Sequence, residues 1–400
     1  MTLINCVTRV HFADGVLEEA LRSEMELHAK RRPLIIAEEG HLTAAVAERF
    51  FSSFPIRTRA ETFSAVPHHP TENAAGMIAR AYKTFDSDLL IAFGSNRAMD
   101  LAKIARIAIA FDEPIAALST EEGGAQRISA EMPDLYAIPG ILGFASAITD
   151  YTRVRLDAGG QALFSSQHLI PSVTICDPTL TLGASPQESA IAAAGILARA
   201  VNAYLAPGYN PPADAMALDS LSRVAQSVHH VVFADDLGAR REMMAAGLNS
   251  ALALQKGLCA VHAICNAVAS VADHAIDPSV LGGVLIPELS HAYLGQTFGR
   301  TEPVRRALNL SDNQPLHDGL ANLVASLPLA TTLNELGISR SDLPRAAELA
   351  MRDRAISNGT AHLDREHVLR ILHSVHGAKL SAAAQAPGSA PSARKQAGST

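Results

Sequence analysis

Short, continuous apolar runs alternate with stretches of helical spacing in the first half of this 400-residue chain. Four runs are too short and too uniformly apolar for amphipathic helices and are typical of buried parallel strands: 33–37, 89–93, 114–118 and 135–138. Between them, apolar side chains recur at helical intervals over 42–51, 71–85 and 98–111. This βαβα order predicts an α/β, Rossmann-like domain in which helices cover both faces of a parallel sheet.

A different pattern follows from residue 152. Residues 153–156 and 161–164 flank the turn sequence Asp157-Ala158-Gly159-Gly160. Paired glycines supply the positive φ that a tight turn requires, so this segment predicts a β-hairpin. Residues 173–176 predict one more strand, which ends before Asp177-Pro178.

The second half of the chain is almost wholly helical in pattern. Ser185-Pro186-Gln187-Glu188 is a capping box with proline at the first helical position, and its helix extends to about residue 205. Further helices are predicted over 216–233, 240–271, 280–294, 302–308, 316–326, 345–351 and 365–375. We therefore expect an α/β domain over 1–182, an all-α domain over 183–380 and a disordered tail over 381–400.

Composition and charge narrow the class of protein. The chain is 48% hydrophobic with a net charge of −7, and its basic residues are scattered, so nucleic acid is not an expected partner. No basic-then-apolar segment opens the chain, and no apolar window reaches about 18 residues, so we expect a cytoplasmic protein without a membrane span. The four cysteines lack CxxC spacing and are expected to be reduced thiols.

Several segments resemble one known family. Residues 94–103 (GSNRAMDLAK) resemble the GGGSxxDxAK segment of iron-containing alcohol dehydrogenases, in the strand–turn–helix context of that motif. Residues 177–182 (DPTLTL) are similar to the DPxLTL of the family, and 206–211 (APGYNP) resemble the maleylacetate reductase branch. The resemblance covers the chain to about residue 380. It implies a dehydroquinate synthase-like fold, an oxidoreductase that uses NAD(H), and a homodimer.

The chain departs from this family at the metal site. Family members carry an aspartate or asparagine and a histidine one turn apart on the first helix of the second domain, and these positions align with Gly195 and Arg199. Glycine has no side chain, and a guanidinium is cationic and has no lone pair to offer. The third ligand aligns with His262 and the fourth with Pro278, close to His274. The resemblance therefore implies a divergent member that lacks the metal ligands, and we expect no bound metal.

The glycine-rich cofactor loop is also altered. Runs of small residues let backbone N–H groups approach a dinucleotide pyrophosphate at a helix N-terminus. Here Gly94 is followed by Ser95, Asn96 and Arg97. Serine and asparagine can still donate hydrogen bonds, and the arginine can pair with a phosphate. Glu38, at the end of the second predicted strand, could accept the adenosine ribose hydroxyls and favour NAD over NADP, although acidic residues are common at strand ends.

Three more residues belong to the predicted cofactor region. The resemblance places Asp100 and Lys103 near the nicotinamide edge of the cleft, whereas their spacing alone is typical of an i,i+3 ion pair on a helix. Where the family has a threonine pair and then a GSE triplet, only Ser146 and Thr149 match, and Ala147 replaces the glutamate. Part of the family's nucleotide contact is therefore not retained.

Four residues are candidates for the chemistry. Arg199 is either a surface arginine or a cleft residue, and its alignment with a metal ligand favours the cleft, where it would hold a substrate carboxylate. His262, in an apolar helix, is either a core histidine or the general acid that protonates a carbonyl oxygen. Asn266, one turn further on, could orient His262 or the substrate, and His274 completes the set.

Three classes of function remain open at this point. The first is a metal-independent, NAD(P)H-dependent reductase of a small oxo-carboxylate, similar to maleylacetate reductases. The second is a lyase or hydrolase that acts on a carbonyl compound in the interdomain cleft without nucleotide or metal, and the altered loop favours it. The third is a binding protein without catalytic activity.

Overall fold

A six-stranded parallel sheet organises the first part of the computed structural model, which describes residues 8–129, 131–292, 299–358 and 362–377. The strands of the sheet are β1 (Arg9–Phe12), β2 (Pro33–Ala37), β3 (Glu61–Phe63), β4 (Leu89–Gly94), β5 (Leu135–Pro139) and β8 (Val173–Cys176). Their spatial order is β1-β8-β5-β4-β2-β3, with all pairs parallel. The remaining two strands, β6 (Tyr151–Arg155) and β7 (Gln161–Ser165), form an antiparallel hairpin.

Helices cover both faces of this sheet, as predicted. They are α1 (Leu17–Leu27), α2 (Ala44–Ser52), α3 (Glu72–Thr84) and α4 (Asn96–Ala110). Leu34 and Ile36 of β2 pack in one core with α3 and α4, while Ile35 and Ala37 pack in a second core with α1 and α2. Every residue of β2 is buried, which explains why its sequence is uniformly apolar rather than alternating.

The second part of the chain is helical. Its helices are α5 (Pro186–Leu205), α6 (Pro211–Phe233), α7 (Leu237–Leu252), α8 (Ala260–Val271), α9 (Pro278–Ala292), α10 (Thr301–Ala307), α11 (Leu316–Ala325), α12 (Leu343–Arg352) and α13 (Arg365–Gly377). The predicted capping box is present, because the Ser185 hydroxyl accepts from the backbone of Glu188 and the Glu188 carboxylate accepts from the backbone of Ser185. The predicted domain boundary at 182/183 falls between β8 and α5.

Two predicted elements are wrong. Residues 114–118 do not form a strand, because Ile115–Leu118 is a 3₁₀ turn whose i and i+3 side chains, Ile115 and Leu118, are both buried. The single helix predicted over 240–271 is broken by a second 3₁₀ turn, Ala253–Lys256, and by Gly257, whose φ of +95° no helix accommodates. The short strand β3 was not predicted from the sequence.

Several expectations concern residues or properties that the structure does not describe. The tail over 381–400 and Cys6 fall outside the described residues. Among the described residues, no single helix has the length and apolar composition to cross a membrane, although α7 with its following turn and α8, bent by 104°, reach that length and composition together. Strand β1 lies at one edge of the sheet, and the homodimer remains a prediction.

Candidate active site

A cleft opens where β2 and β4 end. The connection after β2 leads to β3, toward one edge of the sheet. The connection after the neighbouring β4 leads to β5, toward the opposite edge. Adjacent strands whose connections leave in opposite directions form a topological switch point, which is where open α/β sheets bind ligands. The cavity here measures about 540 Å³, and its walls come from the start of α4, the hairpin β6–β7 and the helices α5, α8 and α9.

The turn after β4 can be formed only with glycine at position 94. Gly94 has a φ of +104°, and a Cβ there would lie 2.9 Å from the ring of His41. Ser95 caps α4, since its hydroxyl accepts from the backbone N–H of Arg97 at 3.2 Å. Asn96 donates to the carbonyl of Gly143 and accepts from two backbone N–H groups of the same loop. The Asn96 amide therefore shapes the cleft wall, which leaves it little capacity for a ligand.

Glu38 and Arg97, both predicted to contact a dinucleotide, contact each other. The Arg97 Nε lies 2.7 Å from Glu38 Oε1, and the His41 Nε2 lies 3.1 Å from Glu38 Oε2. Burial alone would raise the pKa of Glu38, but hydrogen bonds from His41 and Ser95 and the charge of Arg97 together lower it. A nucleotide would have to compete with this internal pair for both side chains.

Asp100 and Lys103 do not share the environment that the resemblance implied. Asp100 lines the cleft with Ser146, and its Oδ1 is buried without a hydrogen-bond partner. Burial raises the pKa of Asp100 to about 6, against the opposing effect of Lys103. Lys103, which the resemblance places near the nicotinamide, does not itself line the cleft. Its ammonium instead donates to the carbonyls of Thr149 and Tyr151 and to the Thr149 hydroxyl, at 2.7–3.0 Å.

Arg199 lies in the cleft wall on α5. Its side chain is 92% buried, and its Nε donates to the Ser250 hydroxyl at 3.3 Å while Nη2 donates to the carbonyl of Gly143 at 3.2 Å. Among the described residues, no carboxylate lies within ion-pair distance of the Arg199 guanidinium. The Nη1 atom of Arg199 makes no hydrogen bond to any of these residues. Burial lowers the pKa of Arg199 to about 10, so the guanidinium stays charged at neutral pH. The cleft therefore contains a fixed cation with donors to spare.

The four positions that align with metal ligands come together in this cleft. Gly195, Arg199, His262 and Pro278 all line it. A Cβ at position 195 would lie 2.7 Å from the Ser279 hydroxyl and 3.3 Å from Arg199 Nη1, so the absent side chain makes room for both groups. Within the described residues, no group of three or more His, Cys, Asp or Glu side chains could hold a metal ion. One imidazole beside a guanidinium does not fit an iron ion.

His262 and Asn266 line the same cleft from α8, whereas His274 does not. The exposed ring of His274 packs against Gly337 and does not contribute to the cleft wall. Burial, followed by the charges of Arg199 and Arg153, lowers the pKa of His262 to about 3. A pKa this low keeps the His262 imidazole neutral at rest, which does not favour its predicted role as the proton donor.

Sequence reasoning missed three residues of the cleft wall. Tyr151 and Arg153 face it from β6, and Ser279 faces it from the start of α9. Arg153 also pairs with Asp353 at 2.6 Å, which connects the hairpin to the helical part of the chain. The signal for the first two was the alternation along β6, where Thr152 and Val154 are buried and residues 151, 153 and 155 are not.

The cleft residues fit a dinucleotide better than they fit a metal. A helix N-terminus capped by Ser95 attracts phosphate, and Arg97 adds a positive charge beside it. The orphaned Asp100 Oδ1 offers a buried acceptor that no described protein group uses. The sheet order and the switch-point cleft are typical of α/β proteins that bind nucleotides, and the second half of the chain is helical.

Comparisons with known proteins agree with this class. Residues 7–178 match the model of iron-containing alcohol dehydrogenases, and residues 190–376 match the C-terminal model of the same family. The chain belongs to the iron-containing alcohol dehydrogenase family and is an oxidoreductase of that family. It is 29% identical over 361 residues to the 4-hydroxybutyrate dehydrogenase of Cupriavidus necator, covering 88% of this chain and 94% of that protein.

Two solved structures share the fold. The sulfoacetaldehyde reductase from Bifidobacterium kashiwanohense, in complex with NAD+, superposes with a TM-score of 0.85 at 18% identity, covering 94% of this chain and 99% of that one. The maleylacetate reductase from Agrobacterium tumefaciens gives a TM-score of 0.76 at 20% identity, covering 95% and 99%. At these identities the likeness establishes the fold alone.

Proposed function

We propose that this protein is a metal-independent reductase that uses NAD(H) to reduce a small aldehyde or ketone carrying a carboxylate. Arg199 carries the proposal, because it is a buried cation in the cleft without a carboxylate partner among the described residues. Burying an uncompensated charge costs several kcal/mol, roughly, unless a ligand or function offsets it. A substrate carboxylate would accept from Nη1 and offset the charge.

The cofactor would lie along the switch point. The N-terminus of α4, Ser95 and Arg97 would hold the phosphates, provided that the Glu38–Arg97 pair opens, and Asp100 would accept a hydrogen bond near the substrate. When bound, a reduced nicotinamide supplies a hydride to the carbonyl carbon. Arg199 would then orient the substrate by its carboxylate, while the apolar residues of α5 and α8 exclude water from the reacting carbon.

The names of the relatives support an anionic substrate. 4-Hydroxybutyrate, maleylacetate and sulfoacetaldehyde each combine an alcohol or carbonyl with a carboxylate or sulfonate. A fixed guanidinium recognises such groups through two parallel N–H donors. Succinic semialdehyde, the oxidised partner of 4-hydroxybutyrate, is therefore the first substrate to test.

The proposal is tested by three measurements on the wild-type protein. Titration with NADH, followed by nicotinamide fluorescence, should give saturable binding. NADH oxidation should depend on succinic semialdehyde and should be unchanged after incubation with EDTA. Elemental analysis should find less than one metal per chain. Stoichiometric iron or zinc whose removal stops turnover would contradict the metal-independent part alone, whereas failure to bind NADH would reject the reductase.

A second function is favoured by one observation. The His41 ring fills the space above Gly94, and the Glu38–Arg97 pair closes the loop next to it. An enzyme that acts on a carbonyl compound without nucleotide, a lyase or hydrolase, would have no need to open this pair. Absence of NADH binding together with saturable binding of an oxo-carboxylate, measured by calorimetry, would support this alternative.

A further inference from the structure

The proposed reduction consumes a proton, and no residue has yet been assigned as its donor. Hydride addition to a carbonyl carbon leaves negative charge on the oxygen, and a positioned acid must neutralise it. The titratable side chains that line the cleft include Asp100, Tyr151, His262 and Asp277. Asp277 is exposed, and its Oδ1 accepts the backbone N–H of Ser279 at 2.8 Å at the start of α9. His262 is neutral, and its Nδ1 faces the Cys259 sulfur at 3.8 Å. Burial raises the pKa of Asp100 to about 6, and the proposed function already uses this carboxylate as a hydrogen-bond acceptor.

Tyr151 remains, and the fold presents its side chain to the cleft. It is the first residue of β6, and strand alternation places it on the cleft side with Arg153 while Thr152 and Val154 pack into the core. Its hydroxyl makes no hydrogen bond to another described residue. The phenol is therefore a donor that the protein leaves unused.

Hydrogen bonds between β6 and α4 hold the backbone of Tyr151 in place. Lys103 Nζ donates to the Tyr151 carbonyl at 3.0 Å and lies 6.0 Å from the centre of its ring. Thr152, the next residue, donates through its hydroxyl to the carbonyl of Asp100. These bonds fix the start of β6 against α4, so the phenol has a defined position relative to the cofactor loop.

The charges around Tyr151 suit a group that gives up a proton only during the reaction. Burial raises its pKa, as do Asp100 and Asp150, so the phenol is protonated at rest. Arg199 and Arg153 act in the opposite direction and would stabilise the phenolate once it forms. Lys103 adds a third positive charge near the ring.

We infer that Tyr151 is the proton donor of the reaction, an assignment that rests on the proposed function. With a bound reduced nicotinamide as the hydride source, a C–H bond would form at the carbonyl carbon. The phenolic O–H bond breaks as a new O–H bond forms on the substrate oxygen. The phenolate then regains its proton from water that enters the cleft after the alcohol leaves. The nicotinamide is oxidised and the carbonyl is reduced, so electrons and protons balance.

The test is Tyr151→Phe in the full chain, with succinic semialdehyde and NADH as substrates. Removal of a general acid typically costs at least about 100-fold in rate, and we expect kcat to fall by that factor. NADH affinity, measured by fluorescence, and KM should stay within about threefold, because the ring is kept and only the hydroxyl is lost. The solvent deuterium isotope effect on kcat should rise in the variant, as an unpositioned water replaces the phenol.

Tyr82→Phe is the matched control, since Tyr82 also has a pKa raised by burial but does not line the cleft. It should leave kcat unchanged. A Tyr151→Phe enzyme whose kcat stays within threefold of the wild type would overturn the assignment and leave the reductase intact. A wild type that binds no NADH and reduces no aldehyde carboxylate would overturn both.

Discussion

Lys103 and Arg199 are buried cations in the two halves of the chain, and they use their donors differently. The Lys103 ammonium donates hydrogen bonds to three acceptors: the carbonyl and hydroxyl oxygens of Thr149 and the carbonyl of Tyr151. Arg199 donates once to Ser250 and once to the carbonyl of Gly143, and its Nη1 contacts the cleft beside the bare backbone of Gly195. A cation whose donors are all used inside the protein stabilises the fold, whereas one with unused donors is placed to bind a ligand.

The difference extends to the surrounding charges. Burial lowers the pKa of Lys103 to about 8, while the carboxylates of Asp100 and Asp150 oppose that change. Arg199 has only Tyr151 and Asp277 to oppose the effect of burial, and neither forms an ion pair with it. Lys103, which matches the family motif, therefore acts structurally, whereas Arg199, at a position that aligns with a metal ligand, is the residue that the proposed function uses.

The largest effect is expected from Lys103→Met. Three acceptors would lose their donor and Asp100 would lose its nearest positive charge, so we expect the free energy of unfolding to fall by about 3–5 kcal/mol. Urea denaturation at pH 7 measures this change. Lys83→Met, at an exposed site on α3, is the control and should change stability by less than about 0.5 kcal/mol. Equal stability of the two variants would remove the structural role of Lys103.

Arg199→Met should give the opposite result. We expect kcat/KM for succinic semialdehyde to fall by about 10²–10³, because the carboxylate loses its cation. The free energy of unfolding should change by less than about 1 kcal/mol, since the loss of two hydrogen bonds opposes the gain from removing a buried charge without an ion pair. Propanal, which lacks the carboxylate, serves as the control substrate and should be reduced at a similar rate by both enzymes. A large loss of stability with unchanged kcat/KM would show that Arg199, like Lys103, has a structural role, and would contradict the proposed difference between them.

A smaller effect is expected from a decrease in pH, and it reports the protonation of His262. The pKa of His262 is lowered to about 3 in the folded protein, against about 6.5 when unfolded. Between these values only the unfolded chain binds the proton, so stability falls as pH decreases from 6.5. At pH 4.5 the wild type should lose about 2–3 kcal/mol more than His262→Gln, relative to pH 7. His274→Gln, at an exposed ring, should keep the wild-type acid loss in the same urea titrations.

Local pattern was sufficient for most of the fold. The uniformly apolar run at 33–37, the glycine pair in the hairpin and the capping box at Ser185 each act through neighbouring residues, and each is found in the structure. The errors occurred where apolar pattern alone cannot distinguish conformations. A five-residue apolar run such as 114–118 suits a strand or a 3₁₀ turn equally, and Gly257 interrupts a helical pattern that continues on both sides.

The site was less accessible to sequence reasoning. The resemblance brought Gly195, Arg199, His262 and Pro278 to one place, and the structure has them around one cleft. It could not reveal that His41 covers Gly94, that Glu38 and Arg97 pair, or that His274 packs on Gly337. Tyr151 was also overlooked, because no motif marks it and its position depends on how the hairpin meets α4.

The sequence by itself determined most of the order of strands and helices and the residue types at the positions that align with metal ligands, because propensity, turn chemistry and side-chain identity are local properties. Only the tertiary structure decided which polar groups are satisfied. Lys103 finds its acceptors 46 and 48 residues away, and Arg199 finds Ser250 at a separation of 51. Hydrogen bonding inside a protein is saturable and depends on distance, so a free donor can be recognised only after the chain has brought its partners together.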